Sequence, residues 1–231
     1  MGPLARSPGD VHELPEVVGP APVPDGGDAV LLDGGGPSVV DGAGGVIFRE
    51  KWTANVAGVA GTIYRAEFRD QKEQVQYLRQ IVRAYASTMT IRDKATQIVF
   101  DIYHVPQKNQ AMQAWAIGDW VQKNIKYILE SEETFYTPIQ TLRVGAADCD
   151  DHSTLICSLC ESIGIPTQLV AMGWSSGGSW GYQHIVGRAA VRIGGRQRWL
   201  WLDSTLEEPI GFNPLRKAIR EHNDVKFLAM R

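Results

Sequence analysis

Apolar residues recur at helical spacing in several stretches after residue 70. They occupy every third or fourth position from 75 to 85, and again from 95 to 102. This period predicts two amphipathic helices. Pro106 ends the second helix, because proline removes a backbone hydrogen bond and clashes with the preceding turn. A further helix is predicted over about 109–125, and its aromatic side chains are expected to be core.

A buried helix is predicted to follow Asp148. Asp148 is a good N-cap, Asp150 and Asp151 suit the first turn, and the sequence Gly164-Ile165-Pro166 ends the helix. Apolar residues recur at helical spacing between 155 and 163. Cys149 is then near the first helical position. We expect this first turn to open onto a cleft.

Two strands joined by a tight turn are predicted downstream. Residues 181–193 and 196–204 have strand-like patterns, and Gly194-Gly195 between them indicates a two-residue hairpin. If the residues flanking the loop pair, His184 and Asp203 share a face as diagonal neighbours, about 7–8 Å apart at the backbone. That separation allows a side-chain hydrogen bond. A loop one residue longer or shorter would put them on opposite faces.

Cys149, His184 and Asp203 together suggest a thiol enzyme. Unpaired N–H groups and the helix dipole at a helix start favour the thiolate of Cys149. The three nearby Asp residues disfavour it, so a cationic partner is expected. His184 is the best candidate. Asp203 would orient the imidazole, His184 would take the Cys149 proton, and Cys149 would attack a carbonyl.

The other cysteines and His152 favour structural interpretations. Cys157 and Cys160 are expected to be core residues of the helix. A zinc site made by Cys149, His152, Cys157 and Cys160 is disfavoured, because Cys149 and Cys160 would be about 16 Å apart on a continuous helix. His152 is expected on the helix surface. No metal and no cofactor are predicted.

The amino-acid composition of the chain argues against several classes of function. The chain has 231 residues, a formal net charge of −3 and three cysteines, which gives no general attraction to nucleic acid and no disulfide framework. Four arginines between 188 and 198 form only a local basic patch, so no specific nucleic-acid binding is expected. We find neither an 18-residue apolar run nor a signal-peptide pattern, so no membrane association is expected.

Several short motifs resemble the transglutaminase-like superfamily, a branch of the papain-like thiol enzymes. They are Asp148-Cys149-Asp150-Asp151-His152-Ser153, Gly164-Ile165-Pro166, His184-Ile185-Val186 and Trp201-Leu202-Asp203-Ser204-Thr205. The likeness covers roughly 110–213 and is greatest with compact versions encoded by bacteriophages and prophages. It differs in having Ala147 where the family often has Gly, and in lacking an aromatic residue soon after His184.

The resemblance implies an α+β fold in which the nucleophile helix packs on an antiparallel sheet. It implies Cys149 as nucleophile, His184 as base and Asp203 as orienting acid. The expected reaction is attack on an amide or peptide carbonyl, as in an amidase, protease or transamidase. The backbone N–H of Cys149 is the expected oxyanion donor, with Gln140 as a second candidate. A catalytically idle structural or assembly protein of a phage particle remains the alternative.

Four regions are predicted. Residues 1–50 are a Gly/Pro-rich arm, 51–108 a helical region, 109–213 the thiol domain, and 214–231 a C-terminal helix capped by Asn213. The arm cannot bury enough apolar surface to order alone. We therefore expect it to bind other virion proteins or identical copies in a homo-oligomer. The expected location is the virion, or the host cytoplasm during assembly, and the expected substrate is a protein or peptide.

Overall fold

The computed structural model describes residues 47–56, 59–68, 70–129 and 135–230. The predicted N-terminal arm lies outside these residues, except for positions 47–50. Eight strands and six helices are named below in chain order. They are β1 (Ile47–Val56), β2 (Val59–Glu67), α1 (Gln71–Ala86), α2 (Met89–Thr96), α3 (Gln110–Asn124), β3 (Lys126–Tyr127), α4 (Pro138–Val144), β4 (Ala146–Ala147), α5 (Cys149–Ser162), β5 (Thr167–Ser176), β6 (Ser179–Ile193), β7 (Arg196–Leu202), α6 (Pro214–Glu221) and β8 (Lys226–Met230).

A four-stranded antiparallel sheet forms one layer, in the order β7-β6-β5-β8. The turn between β6 and β7 is Gly194-Gly195, whose φ angles of 58° and 77° suit glycine and match a two-residue hairpin. Ile193 pairs with Arg196, so the predicted hairpin register is confirmed. The position of His184 relative to Asp203 follows from this register.

Helix α5 lies at the centre of the second layer. It contacts α1, α2, α3 and α4 as well as strands β5 and β6. Its apolar residues Leu155, Ile156 and Leu159 are fully buried. Cys157 and Cys160 are buried free thiols, as predicted for core residues. Burial of apolar surface on all sides holds α5 in place, and with it the position of Cys149.

A buried ion pair connects α5 to α1 and β5. The Arg79 guanidinium donates to Glu161 Oε1 at 2.8 Å and to Thr167 Oγ1 at 3.2 Å. Thr167 Oγ1 also donates to Glu161 Oε1 at 2.6 Å. The three side chains therefore hydrogen-bond one another where α1, α5 and β5 meet. Removing either charged partner would leave the other as an uncompensated buried charge.

The region predicted as helical over 51–108 differs in its first part. Strands β1 and β2 pair as an antiparallel hairpin up to Glu67, and helices begin only at α1. The segment is rich in β-branched and aromatic residues, which favour strands. Asp70 then starts α1, because its side chain accepts a hydrogen bond from the Glu73 N–H at 2.9 Å. A π-helical segment, Gln97–Ile102, continues α2.

The predicted C-terminal helix is also shorter in the structure. Asn213 caps α6 through the Leu215 N–H, as expected, but α6 ends at Glu221. Strand β8 follows and pairs with β5. Its residues alternate between the two faces of the sheet: Leu228 packs on one apolar cluster and Ala229 on the other. This period of two, together with the available edge of β5, favours a strand over a helix.

The α+β class predicted from the sequence is confirmed. Within the four described stretches, we find no helix that combines the length and apolarity needed to cross a bilayer.

Substitution of Gly187 tests how closely α5 packs on β6. A Cβ at this position would lie 3.0 Å from Cys157 Sγ and 3.7 Å from the Ser153 carbonyl oxygen. We expect Gly187→Ala to lower the free energy of unfolding by about 1–3 kcal/mol, because the added methyl group overpacks the contact. Urea denaturation measures this change.

The matched control repeats the substitution in a Cys157→Ala background. Without the sulfur atom the new methyl group has room, so Gly187→Ala should destabilise this background much less. Equal losses in the two backgrounds would contradict the close contact between the helix and the strand.

Candidate active site

Cys149 is the first residue of α5, as the sequence predicted. The N-cap residue Asp148 has an extended backbone and accepts a hydrogen bond from the Asp151 N–H at 3.5 Å. The Cys149 side chain is partly exposed and packs beside Ile185. The backbone of Ile185 also hydrogen-bonds the thiol. The thiol therefore lies against the β6 backbone, one residue after His184 in the sequence.

The structure brings His184 and Asp203 into direct contact. His184 Nε2 lies 2.8 Å from Asp203 Oδ2, and the two side chains are only 14% and 4% exposed. The other oxygen of Asp203 accepts hydrogen bonds from the Thr205 N–H at 3.1 Å and the Thr205 hydroxyl at 2.7 Å. The carboxylate is thus fixed on both sides. Because Nε2 of His184 faces Asp203, Nδ1 is the nitrogen left for another partner.

The pKa of Asp203 reflects these contacts. Burial alone would raise it, but the hydrogen bond and charge of His184, together with both Thr205 donors, hold the pKa below the usual range. The carboxyl group is therefore ionised at neutral pH. An ionised Asp203 can accept the His184 N–H and can stabilise the imidazolium when His184 takes up a proton.

The thiol of Cys149 is in a different electrostatic situation from the one expected. Burial raises the pKa of the Cys149 thiol well above its ordinary value, and the nearby carboxylates of Asp150 and Asp148 raise it further. The hydrogen bond from Ile185 opposes this rise but does not reverse it. The resting form is consequently the neutral thiol. Any reaction at this sulfur then requires a base that removes the proton during attack.

Asp148, Asp150 and Asp151 form a compact group of carboxylates at the start of α5. One oxygen from each lies within 4.8 Å of the others, a spacing that could hold a metal ion. One oxygen of each carboxylate already accepts a backbone hydrogen bond. Asp151 Oδ1 accepts the Tyr136 N–H at 2.7 Å, and Asp150 Oδ1 accepts the Asp151 N–H at 3.0 Å. The visible function of the group is to cap α5 and to anchor the chain that precedes α4.

Gln140, the second oxyanion donor expected from the sequence, lies in the first turn of α4. Its Oε1 accepts the Thr137 N–H at 3.0 Å, while the Thr137 hydroxyl accepts the Gln140 N–H at 3.3 Å. This reciprocal pair is a capping box. The side-chain oxygen of Gln140 therefore has a structural role, and its oxyanion role stays a prediction.

His152 was predicted on the surface, and this prediction is wrong. Its side chain is 1% exposed, and its Nδ1 lies 2.7 Å from Ser204 Oγ. The ring also makes an edge-to-face contact with Tyr127, with centroids 6.2 Å apart. Position 152 continues the apolar face of α5 formed by 155, 156 and 159. That helical spacing is the sequence signal that could have indicated burial.

An open cavity of about 640 Å³ lies beside the segment that carries Asp203. Tyr127, Ser204 and Thr205 line one part of it, and Gln122 lines another. Tyr127 is close enough to the site that the charges of Asp148 and Asp203 contribute, after burial, to raising its pKa. The cavity therefore lies next to the candidate site, on the side of Asp203.

A cysteine at the start of a buried helix and an Asp-bound histidine on an antiparallel sheet define a papain-like arrangement. Residues 96–204 match the family model of the transglutaminase-like superfamily. Just under half of the chain is therefore similar to that superfamily, as the resemblance of its motifs indicated. A search of curated protein sequences finds no significant match to the chain.

Three solved structures are similar in fold. A candidate protease from Parabacteroides distasonis is 15% identical, with a TM-score of 0.43, and the match covers 66% of this chain and 29% of that one. A candidate cysteine protease from Cytophaga hutchinsonii is 20% identical, with a TM-score of 0.41, covering 63% and 49%. LapG from Legionella pneumophila is 12% identical, with a TM-score of 0.42, covering 67% and 83%. The chain thus spans less than half of the first two proteins.

Removal of the Thr205 hydroxyl tests how Asp203 is kept ionised. In Thr205→Val the carboxylate loses one donor but keeps the backbone N–H and the His184 contact. We expect the pKa of Asp203 to rise toward the ordinary value of about 3.9. Carbon-13 NMR titration of the Asp203 carboxyl group measures the change. Thr205→Ser, which retains the hydroxyl, is the control.

The same substitution has a consequence for stability. Because the folded-state pKa of Asp203 is depressed, its stabilising contribution is fully present above the ordinary Asp pKa and is lost as pH falls through the folded value. In Thr205→Val the folded-state pKa is higher, so the total loss should be smaller and should be complete at a higher pH than in the wild type. Identical titration and acid-denaturation curves for the two proteins would contradict the role given to the hydroxyl.

Proposed function

We propose that the chain is a cysteine enzyme that acts on amide or peptide bonds through Cys149, His184 and Asp203. The observation that carries this proposal is the 2.8 Å contact between His184 and Asp203, on the strand whose next residue hydrogen-bonds the Cys149 thiol. A carboxylate, an imidazole and a thiol in this order are the elements of nucleophilic acyl transfer. The superfamily match of residues 96–204 supports the same chemistry.

The first step is the attack of the thiol on the substrate carbonyl. His184 accepts the thiol proton at Nδ1 while Cys149 Sγ bonds to the carbonyl carbon and the carbonyl π electrons move onto oxygen. Asp203 stabilises the resulting imidazolium. Because burial and two carboxylates keep the thiol protonated at rest, proton transfer must accompany the attack. The backbone N–H of Cys149 at the start of α5 is the proposed donor to the oxyanion.

The second step releases the amine. The carbon–nitrogen bond breaks as His184 returns its proton to the leaving nitrogen, and a thioester on Cys149 remains. Water then attacks the thioester in an amidase or protease, whereas an amine attacks it in a transamidase. In either case His184 accepts the proton of the attacking group, and the sulfur leaves and is reprotonated. The substrate class proposed here is a protein or peptide.

The phage-type origin and a virion-associated role belong to the same proposal. They are supported by the resemblance of the short motifs to compact phage and prophage versions of the domain. The Gly/Pro-rich composition of residues 1–50 supports a segment that orders by binding other virion proteins or another copy of this chain.

A second candidate is a catalytically idle structural or assembly protein that uses the same fold. One observation favours it: burial, Asp150 and Asp148 all raise the pKa of the Cys149 thiol. A sulfur that is never deprotonated would be inert. The two candidates therefore differ in whether His184 activates Cys149.

Acylation by p-nitrophenyl acetate tests the proposal without knowledge of the natural substrate. The wild type should release one nitrophenolate per protein in a burst and carry the acetyl group on Cys149, as read by peptide mass spectrometry. Cys149→Ala should show no burst. His184→Ala should be acylated at least about 100-fold more slowly, because general-base catalysis is lost.

Cys160→Ala is the matched control, since this buried thiol lies outside the proposed machinery and the burst should persist. A wild-type acylation rate equal to that of His184→Ala would favour the idle structural protein. An added primary amine then separates the two enzyme classes: a transamidase converts it to the acetamide, and a hydrolase releases acetate.

A further inference from the structure

A buried histidine outside the proposed triad connects the nucleophile helix with the segment that carries the acid. His152 follows Cys149 by three residues and therefore lies about one helical turn along α5. Its Nδ1 is 2.7 Å from Ser204 Oγ, and Ser204 directly follows Asp203. The two residues are only 1% and 5% exposed. This hydrogen bond is shielded from water and joins two parts of the site.

We infer that His152 is a positioning residue. Its hydrogen bond to Ser204 fixes Asp203, and through Asp203 the His184 imidazole, relative to the Cys149 thiol. This inference rests on the proposed function and adds to it a residue that does not itself touch the reacting atoms.

The segment containing Asp203 needs such an anchor, because it lies beyond the end of the strand ladder. The last paired residue of β7 is Leu202, opposite Gly187. After that point backbone pairing no longer fixes the chain. The Gln122 side chain holds the far end of the segment, donating to the carbonyl oxygens of Leu206 at 2.6 Å and Glu208 at 2.9 Å. His152 holds the near end, directly beside Asp203.

The His152–Ser204 bond is one of three contacts that connect α5 with His184 and Asp203. On one side, the Ser153 hydroxyl donates to the Ile185 carbonyl oxygen at 3.0 Å, which fixes the backbone next to His184 against α5. On the other side, His152 fixes Ser204 against the same helix. The His184–Asp203 contact closes the set. Consecutive residues of α5 therefore hold the base and the acid separately.

Packing alone does not account for a histidine at this position. The ring is buried, and besides the Ser204 contact it forms a hydrogen bond with the Lys126 backbone. An aliphatic side chain would fill the same space but would leave both of these partners without their bond. Burial also lowers the pKa of His152, so the ring is neutral. Of the two bonds that an aliphatic residue cannot supply, the Nδ1 bond to Ser204 is the one that reaches the segment of Asp203.

Three substitutions of His152 separate positioning from packing. His152→Asn places an amide near the position of Nδ1, His152→Gln places it near Nε2, and His152→Leu removes both polar atoms. The direct readout is the proton NMR signal of the N–H that His184 donates to Asp203. We expect it to persist in His152→Asn and to be lost or strongly shifted in His152→Gln and His152→Leu.

The second readout is the alkylation rate of Cys149 by iodoacetamide at neutral pH. A small displacement of the base should lower this rate about 10- to 100-fold in His152→Leu, with rescue in His152→Asn. In a His184→Ala background, His152→Leu should have no further effect, because the two residues act on the same proton transfer. Circular dichroism at a temperature well below the unfolding transition confirms that each variant is folded.

A folded His152→Leu variant that keeps both the NMR signal and the alkylation rate would overturn the inference and leave His152 as a packing residue. If His152→Leu does not fold, Ser204→Ala removes the same bond from the other side, with Ser204→Thr as its conservative control. A wild-type alkylation rate that is independent of His184 would reject the proposed function. The NMR signal would still decide whether His152 positions Asp203.

Discussion

The close contact between α5 and β6 determines where each residue of the candidate site lies. Gly187 has no side chain at the point where Cys157 crosses the strand, so the helix lies directly on the sheet. The Ser153 hydroxyl and the Ile185 carbonyl then fix the helix along the strand. As a result the first turn of α5 lies against the backbone of Ile185, the residue that follows His184. A bulkier residue at 187 would move Cys149 away from its proposed base.

In the proposed reaction the thiol is activated during the attack and not beforehand. The start of a helix favours a thiolate, yet burial and the carboxylates of Asp150 and Asp148 outweigh this effect. Asp203, in contrast, is held ionised by His184 and Thr205. The negative charge therefore resides on the acid and the proton on the sulfur. The proposed catalysis therefore depends on the accurate position of the His184 imidazole relative to both groups.

The features that the sequence predicted correctly depend on local physics. The Asp148 cap and the Gly194-Gly195 hairpin are set by neighbouring residues, and the hairpin register alone brings His184 to Asp203. The features it missed depend on distant parts of the chain. His152 is buried because Ser204 comes to it from 52 positions away, and β8 is a strand because β5 offers it an edge. The side-chain amide of Gln140 can donate a hydrogen bond, but its oxygen accepts one from Thr137 in the local cap of α4.

The pH dependence of Cys149 alkylation in the wild type and in His184→Ala tests the central claim most directly. If His184 accepts the thiol proton, the wild type should be alkylated at neutral pH, and His184→Ala should react only at alkaline pH, where the raised thiol pKa is overcome. Peptide mass spectrometry distinguishes Cys149 from the two buried cysteines. Superimposable pH profiles for the two proteins would contradict the claim and leave a structural protein on an enzyme fold.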